Sequence, residues 1–164
     1  MIIFNSSPLI HLTKIGKIEY VLNMFDFIVI PSEVYSEVIE EGIKEGFSDA
    51  ILLNNYFKNK KIKRMEIIKP DLILKDYLHP GEYEAIILAQ QLDGLLVMDD
   101  RKARTVAEQK NLEVLTTADV LLLLLKENMI NSTLFQLNLG KYSVNGWLAP
   151  DIYKKYLTEG KKYE

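Results

Sequence analysis

The chain has 164 residues, of which 48% are apolar and 26% are charged, a composition typical of a soluble globular domain. It contains no cysteine, which excludes disulfides, thiolate catalysis and cysteine-ligated zinc, and a chain without disulfides fits the cytoplasm. The formal net charge of −3 offers no bulk attraction for nucleic acid, so any such binding must be local. The longest aliphatic run, VLLLLL at 120–125, is too short to span a bilayer, and we expect no membrane partner.

Predicted strands alternate with predicted helices along the chain. Five runs are typical of short strands: IIF at 2–4, FIVIP at 27–31, KIKRMEIIKP at 61–70, GLLVM at 94–98 and LEVLT at 112–116. Helical spacing and capping residues predict helices in the other segments, at 7–16, 17–25, 32–46, 48–59, 81–92, 101–111 and 117–130. Because parallel neighbours need crossover helices, the alternation predicts an α/β fold, a three-layer α/β/α sandwich with a mainly parallel central sheet of four or five strands.

The whole chain, 1–164, is predicted to form one domain, because a second core would need more residues. Its last part, 131–164, carries aromatic residues and a LAPD helix start, and we expect it to pack on the domain as a C-terminal appendage. The leucines at 121–125 make their helix apolar all round, which predicts burial either in the core or at a subunit interface.

Polar residues stand where the predicted strands end. Asn5 ends the first strand, Asp99 and Asp100 follow the fourth, and Glu82 opens the helix that precedes the fourth. The crevice beyond the carboxyl ends of parallel strands is a common ligand site, and we expect three of these positions to face it. Converging carboxylates are costly unless a cation neutralises them, and oxygen ligands select a hard ion. The pattern therefore predicts a Mg²⁺ or Mn²⁺ site.

Each acid also has a purely structural explanation. A glutamate in the first turn of a helix, such as Glu82, is favoured by the helix dipole alone. One of Asp99 and Asp100 would suffice to cap the next helix, whereas the second adds repulsion between like charges. Glu37 lies in a run of acids that is typical of a solvated helix face. Spacing alone does not separate these explanations from a metal site.

Five segments, taken in order, resemble one family. They are FNSSPLIHLTKIG at 4–16, IPSEVYSEV at 30–38, LHPGEYEAIILA at 78–89, MDDRKAR at 98–104 and GWLAPDIY at 146–153. Together they resemble the PIN-domain proteins, the fold of VapC-type toxin ribonucleases, and within them a branch of nucleic-acid-binding proteins. The resemblance covers nearly the whole chain, and the order and spacing of the segments are more specific than any single one.

The resemblance implies a site that gathers one or two Mg²⁺ or Mn²⁺ ions. By position, the implied metal ligands are Asn5, Glu37, Glu82, Asp99 and Asp100, and the last three are the implied catalytic acids. Either Asp99 or Asp100 is the direct ligand, since the fold at large indicates Asp100 and this branch indicates Asp99. Such a site would hold the scissile phosphate of RNA, deprotonate a metal-bound water and stabilise the leaving oxygen.

Four further residues are implied to contact substrate. Ser6 and Thr117 are placed to position water or phosphate, and Arg101 and Arg104 to contact phosphates beside the acids. The implied function is a metal-dependent single-stranded RNA endonuclease of the toxin–antitoxin type. Its implied partners are single-stranded RNA, a small cognate antitoxin protein and a second copy of the chain in a homodimer.

Asn5 departs from the pattern of the family, which has an aspartate there. The amide oxygen can still ligate, but it brings no negative charge and cannot accept a proton, so we expect metal affinity to fall. Three explanations stay open: a domain that binds without cutting, an active enzyme that relies on the other acids, or a substitution made to express a toxic nuclease.

Two other functions compete with the nuclease. The first is a non-catalytic PIN-fold module that binds RNA or protein. The second is a flavodoxin-like or receiver-like domain that uses the acids for magnesium, and it is weaker because a phosphoacceptor aspartate and a matching lysine are not placed as such a domain requires.

Overall fold

The computed structural model describes residues 1–163. Its centre is a sheet of five strands in the order β3-β2-β1-β4-β5, and every neighbouring pair is parallel. The strands are β1 (Ile2–Phe4), β2 (Ile28–Pro31), β3 (Ile62–Met65), β4 (Leu95–Val97) and β5 (Val114–Leu115). Ile3 is in register with Val29 on one side and with Leu96 on the other. The prediction of a mainly parallel sheet is confirmed.

Helices form the connections between successive strands and the C-terminal part of the chain. They are α1 (Ser6–Lys14), α2 (Ile18–Phe25), α3 (Ser32–Tyr35), α4 (Gly42–Lys44), α5 (Ser48–Lys58), α6 (Leu72–Lys75), α7 (Pro80–Leu92), α8 (Arg101–Gln109), α9 (Thr117–Lys126), α10 (Ser132–Asn145) and α11 (Pro150–Gly160). A π-helical segment, Ser36–Glu41, joins α3 to α4, and a 3-10 turn, Lys161–Tyr163, follows α11.

Two hydrophobic clusters cover the two faces of the sheet, because successive side chains of a strand point to opposite faces. Ile2 and Phe4 belong to the larger cluster, together with buried residues of α1, α2, α9 and α10. Ile3 belongs to the smaller cluster, together with buried residues of α7 and α8. Helices therefore cover both faces, which confirms the predicted three-layer α/β/α sandwich.

The third strand is shorter than the sequence predicts. It ends at Met65, which is in register with Pro31, the last residue of the paired strand β2, and the backbone that follows pairs with a side chain of α7. Gln91 Nε2 donates to the carbonyl of Glu66 at 3.3 Å, and the N–H of Ile68 donates to Gln91 Oε1 at 2.8 Å. A side-chain amide thus replaces the strand partner that the apolar pattern alone suggests.

The C-terminal part contains a long helix, α10, that the sequence analysis did not predict. Its N-terminus is capped by Asn131, whose side chain accepts a hydrogen bond from the N–H of Leu134 at 2.9 Å. Phe135 and Leu139 of α10 are buried in the same cluster as the leucines Leu121, Leu124 and Leu125 of α9. The leucine run therefore contributes to the core, whereas the single-domain boundary stays a prediction.

The sequence predicts no segment that spans a membrane. In the part of the chain that the structure describes, no helix combines the length and the apolar character needed to cross a membrane.

Candidate active site

The carboxyl ends of β1 and β4 lie side by side at the centre of the sheet. Asn5 follows β1, and its backbone N–H donates to the carbonyl of Val97 in β4 at 3.0 Å. Asp99 and Asp100 follow β4 immediately before α8 begins. The topology of the sheet thus places these three residues at one edge, where parallel sheets commonly bind ligands.

Asn5 is also the residue from which α1 starts. The helix begins at Ser6, one residue before the predicted start at position 7, so Asn5 occupies its N-cap position. Its side chain accepts no capping hydrogen bond from the helix. Asn5 is only 5% exposed, so its side-chain amide is almost buried although it does not cap the helix that follows.

Gly81, at the start of α7, lies beside the side-chain oxygens of Asn5 and Glu37. A methyl group built on Gly81 would lie 3.6 Å from Asn5 Oδ1 and 3.5 Å from Glu37 Oε2. Both oxygens consequently face the first turn of α7, one residue before Glu82. The fold thus brings three of the predicted ligand positions close to one helix N-terminus.

Glu37 reaches this point from an irregular part of its helix. It lies in the π-helical segment Ser36–Glu41, and such segments are frequent at functional sites because they shift side chains relative to a regular helix. The buried Ser6 hydroxyl donates to Glu37 Oε2 at 2.5 Å. Ser6 therefore orients a predicted ligand, and its predicted contact with phosphate or water stays a prediction.

Glu82 and Asp100 line one cleft together with His79 and Lys102. The N–H of His79 donates to Glu82 Oε2 at 3.3 Å, as part of the capping box of α7. Burial raises the pKa of Glu82, and the neighbouring carboxylate of Asp100 raises that pKa further. The ionised form of Glu82 is therefore disfavoured in the protein, and a cation in the cleft would stabilise it.

Asp99 does not line this cleft, and its carboxylate is engaged by other residues. The N–H of Thr117 donates to Asp99 Oδ1 and the hydroxyl of Thr117 donates to Asp99 Oδ2, both at 2.8 Å. The ring nitrogen Nδ1 of His11 lies 3.3 Å from the same Oδ2. Thr117 is fully buried, so its hydroxyl serves Asp99, and its predicted contact with substrate stays a prediction.

Two residues of this neighbourhood were not singled out as functional from the sequence. The rings of His11 and Tyr142 meet edge to face, with their centroids 5.2 Å apart. The pKa of Tyr142 is raised by burial and then by the Asp99 carboxylate beside its hydroxyl. Neither residue had a sequence signal, because His11 lies in an apolar helix and Tyr142 in a helix that the sequence analysis did not predict.

The cationic residues of α8 have different environments. Arg101 is exposed at the start of the helix, whereas the Nε of Arg104 is buried without a hydrogen-bond partner in the described structure. Lys102 lines the cleft of Glu82 and Asp100, and its Nζ donates to the carbonyl of Tyr77 at 2.7 Å. Arg101 and Lys102 are thus the exposed cations of this helix start, and phosphate contacts by Arg101 and Arg104 stay predictions.

The predicted ligands form two pairs and one separate acid. Asn5 pairs with Glu37, Glu82 pairs with Asp100, and Asp99 is bound to Thr117. Among residues 1–163, no three His, Asp or Glu side chains are grouped so that they could hold a metal ion. Hard oxygen donors are nevertheless present, and Mg²⁺ is commonly held by one or two carboxylates while water or substrate phosphate completes its shell. The Glu82–Asp100 pair fits an ion held in that way.

Two solved structures are similar to this chain. The first is a PilT N-terminus domain protein from the hyperthermophilic archaeon Sulfolobus solfataricus, with 19% identity and a TM-score of 0.48 over 71% of this chain and 86% of the other. The second is a domain of a functionally unknown protein from Methanocaldococcus jannaschii, with 18% identity and a TM-score of 0.42 over 70% and 89%. No curated protein matches the chain.

A family model gives the decisive comparison. The model DUF3368, described as a PIN domain, matches residues 1–162 and so includes every site residue discussed above. The five-stranded parallel sheet between two layers of helices is consistent with the fold of that family. The chain therefore belongs to the PIN-domain family.

Proposed function

We propose that this protein is a divalent-metal-dependent endonuclease that cuts single-stranded RNA in the crevice at the carboxyl ends of β1 and β4. PIN domains are generally nucleases, which supports the reaction class. The observation that carries the proposal is the cleft that holds Glu82 beside Asp100, where burial, and then the carboxylate of Asp100, raises the pKa of Glu82. An unneutralised pair of this kind is costly to the fold, and perturbed acids in a cleft are typical of functional sites.

The metal ion would be Mg²⁺ or Mn²⁺ and would be held by Glu82 and Asp100. Asp100 Oδ1 accepts a hydrogen bond from the N–H of Ala103 at 2.8 Å, which fixes the carboxylate at the start of α8. Both oxygens of Asp99 already accept hydrogen bonds from Thr117, so we assign direct ligation to Asp100 and an orienting role to Asp99. When bound, such an ion supplies positive charge to the scissile phosphate and lowers the pKa of water.

The remaining residues would shape the crevice around the substrate. The side-chain oxygens of Asn5 and Glu37 lie beside Gly81, in the first turn of α7 next to Glu82. From there they would complete the ligand shell of the metal ion. Ser6 keeps Glu37 in place through its hydroxyl. Arg101 is exposed next to Asp100 and is suited to contact a phosphate of the RNA backbone. This contact would be a local attraction for RNA in a chain whose net charge is negative.

A second candidate function is a PIN-fold module that binds RNA or protein without cutting it. Asn5 favours this candidate, because an amide at the end of β1 contributes no charge to the site. Asp99 also favours it, because its carboxylate is bound to Thr117 and His11 and is not grouped with the other acids. The two candidates share the crevice and differ in whether the phosphodiester bond is broken.

Two protein partners are proposed, and one apolar surface supports the second of them. We propose inhibition by a small antitoxin and association of two copies of the chain. Leu122 and Leu123 of α9, with Met24 and Phe25 of α2, line an apolar groove on the surface. Apolar patches of this kind are common at interfaces between subunits, so we place the contact between the two copies there.

The test is RNA cleavage under controlled metal concentrations. The parent protein is expected to cut a single-stranded RNA when Mn²⁺ or Mg²⁺ is added and to stop when the ion is chelated. Glu82→Gln should lose most of that activity, whereas Glu84→Gln, whose carboxylate Oε2 accepts the N–H of Glu33 at 2.9 Å outside the cleft, should keep it. RNA binding without cleavage at any metal concentration would instead support the second candidate.

A further inference from the structure

The only tryptophan of the chain, Trp147, is almost entirely solvent-exposed. Its exposed fraction is 92%, the largest among the exposed large apolar residues of the described chain. It lies in the short connection between α10 and α11, outside both hydrophobic clusters. A large aromatic ring in this position contributes little to the core, and exposed aromatic side chains of this kind are common in binding sites.

The backbone at Trp147 is held in an unusual conformation. Its φ is +55°, in the left-handed region that is uncommon for bulky side chains and carries a cost in free energy. Hydrogen bonds fix the connection on both sides of the ring: the N–H of Gly146 donates to the carbonyl of Tyr142 at 2.7 Å, and the N–H of Leu148 donates to that of Ser143 at 3.2 Å. The fold thus presents the indole on an ordered turn.

Gly146 connects this turn to the candidate active site. A methyl group built on Gly146 would lie 2.2 Å from Cε2 of Tyr142, so only glycine lets the backbone approach that ring so closely. The same tyrosine packs edge to face on His11, and its hydroxyl lies beside Asp99. One aromatic ring therefore separates the backbone next to Trp147 from an acid of the crevice.

We propose that Trp147 is a stacking platform for an unpaired base of the single-stranded nucleic acid whose backbone lies in the crevice. The inference rests on the proposed function. Bases of a single strand stack on exposed aromatic rings with little preference for sequence, whereas bases in a duplex are already stacked and paired. Trp147 follows Gly146, whose backbone approaches the Tyr142 ring, and this position suits a nucleotide a short distance from the cleaved bond. It makes single strands the preferred substrate class.

The single tryptophan provides a direct probe. Intrinsic fluorescence of the full chain is measured in chelator, so that no cleavage occurs, while a short single-stranded RNA or the single-stranded DNA of the same sequence is added. We expect strong quenching by the single strands and little quenching by the matching duplex. Unchanged fluorescence at an RNA concentration that saturates binding, measured separately by anisotropy of a labelled RNA, overturns the proposal.

Three variants separate stacking from general effects. Trp147→Ala should weaken binding of single-stranded RNA by about 5- to 150-fold, whereas Trp147→Phe should keep most of it because a ring is retained. Ile73→Ala is the control: Ile73 is 89% exposed, lies beside the C-terminal half of α8 and does not line the cleft of Glu82 and Asp100. Equal binding by Trp147→Ala and the parent, or equal weakening by Ile73→Ala, overturns the proposal.

The outcome also distinguishes this inference from the proposed function. If the parent cuts RNA with Mn²⁺ and Trp147→Ala binds and cuts equally well, the stacking role is wrong and the nuclease stands. If the parent binds RNA with quenching of Trp147 but never cuts, the stacking role stands and the nuclease is wrong.

Discussion

Asp99 and Asp100 are adjacent in the chain, but their carboxylates bind the N-terminal turns of two different helices. Asp99 accepts hydrogen bonds from the N–H and the hydroxyl of Thr117 in α9, and Asp100 accepts one from the N–H of Ala103 in α8. The side chain of Asp99 is only 14% exposed, whereas Asp100 is exposed in the cleft of Glu82. One acid therefore connects β4 to α9, and the other is available to a ligand.

Thr117→Val tests the structural role of Asp99. The substitution keeps the shape of the side chain but removes the hydroxyl that donates to Asp99 Oδ2 at 2.8 Å. We expect the free energy of unfolding to fall by about 1–3 kcal/mol, the usual effect of removing a buried hydrogen bond to a charged group. Urea denaturation measures it. Asp100→Asn is the control, because asparagine is an equally good N-cap residue and should cost under about 1 kcal/mol; a Thr117→Val protein as stable as the parent would contradict the role given to Asp99.

Glu82→Gln tests the electrostatic cost of the cleft. Burial and Asp100 raise the pKa of Glu82 in the folded protein. The folded state therefore binds the Glu82 proton more tightly than the unfolded state does. As the pH rises from the pKa of Glu82 in the unfolded state to its higher pKa in the folded state, the free energy of unfolding falls. We expect Glu82→Gln to be at least as stable as the parent at neutral pH in chelator, with the difference shrinking in acid where Glu82 is protonated.

The measurement for this variant is a series of thermal melts from acid to neutral pH. Added Mn²⁺ should stabilise the parent more than Glu82→Gln, because the ion binds the folded parent preferentially. The contrary result would be a variant that is less stable than the parent, with a larger deficit at neutral pH than in acid. It would show that Glu82 stabilises the fold through some other contact.

Tyr156→Phe tests how the C-terminal helix α11 is fixed to the site. The hydroxyl of Tyr156 donates to Asp119 Oδ1 at 2.6 Å, and Asp119 forms the capping box of α9 with Thr116. Losing this charge-assisted hydrogen bond should lower the free energy of unfolding by about 1–3 kcal/mol, measured in urea. Tyr153→Phe, on the same helix with its hydroxyl over Gly140, should change stability much less; an equal loss in both variants would argue against the Asp119 contact.

The proposed dimer is tested by Leu122→Glu. Leu122 is partly exposed in the apolar groove between α2 and α9, so a charge there should disrupt an interface without removing a core residue. Light scattering after size exclusion should show two copies for the parent and one for the variant, while Ile73→Glu, at an exposed position on α6, should behave as the parent does. A parent that is monomeric at high protein concentration would rule out the dimer.

The sequence predicted the architecture well because strong local signals agree with the tertiary structure. Each predicted strand position contains a strand, and the β-branched run at Ile28–Pro31 coincides with β2 closely. The prediction of β3 extended too far because an apolar pattern cannot reveal that Gln91 satisfies the backbone after Met65. The helix α10 was not predicted because its polar and apolar residues do not form a clear stripe, and burial against α9 stabilises it instead.

The site was harder to predict than the fold. Strand ends placed Asn5, Asp99 and Asp100 at the same edge of the sheet, and this follows from topology. The sequence could not show which residue each acid contacts, because the hydrogen bonds of Asp99 with Thr117 and of Glu37 with Ser6 join residues far apart in the chain. Nor could it predict the approach of Gly146 to Tyr142, which depends on how α10 packs.

Asn5→Asp tests whether the residue at the end of β1 belongs to a metal site. The new carboxylate would be nearly buried beside Glu37 Oε2, and without a cation we expect repulsion to destabilise the variant. The melting temperature of the variant in chelator should therefore be lower than that of the parent, and millimolar Mn²⁺ should raise it again. Asn55→Asp, at an exposed position of α5, provides the control for a charge added elsewhere.

The cleavage rate of a single-stranded RNA as a function of Mn²⁺ concentration, compared between the parent and Asn5→Asp, tests the nuclease proposal most directly. The additional negative charge should lower the Mn²⁺ concentration needed for half-maximal cleavage and raise the rate, and chelator should abolish cleavage by both proteins. Absence of cleavage in both proteins at saturating Mn²⁺, with RNA binding intact, would contradict the nuclease and leave the PIN fold here as a binding module.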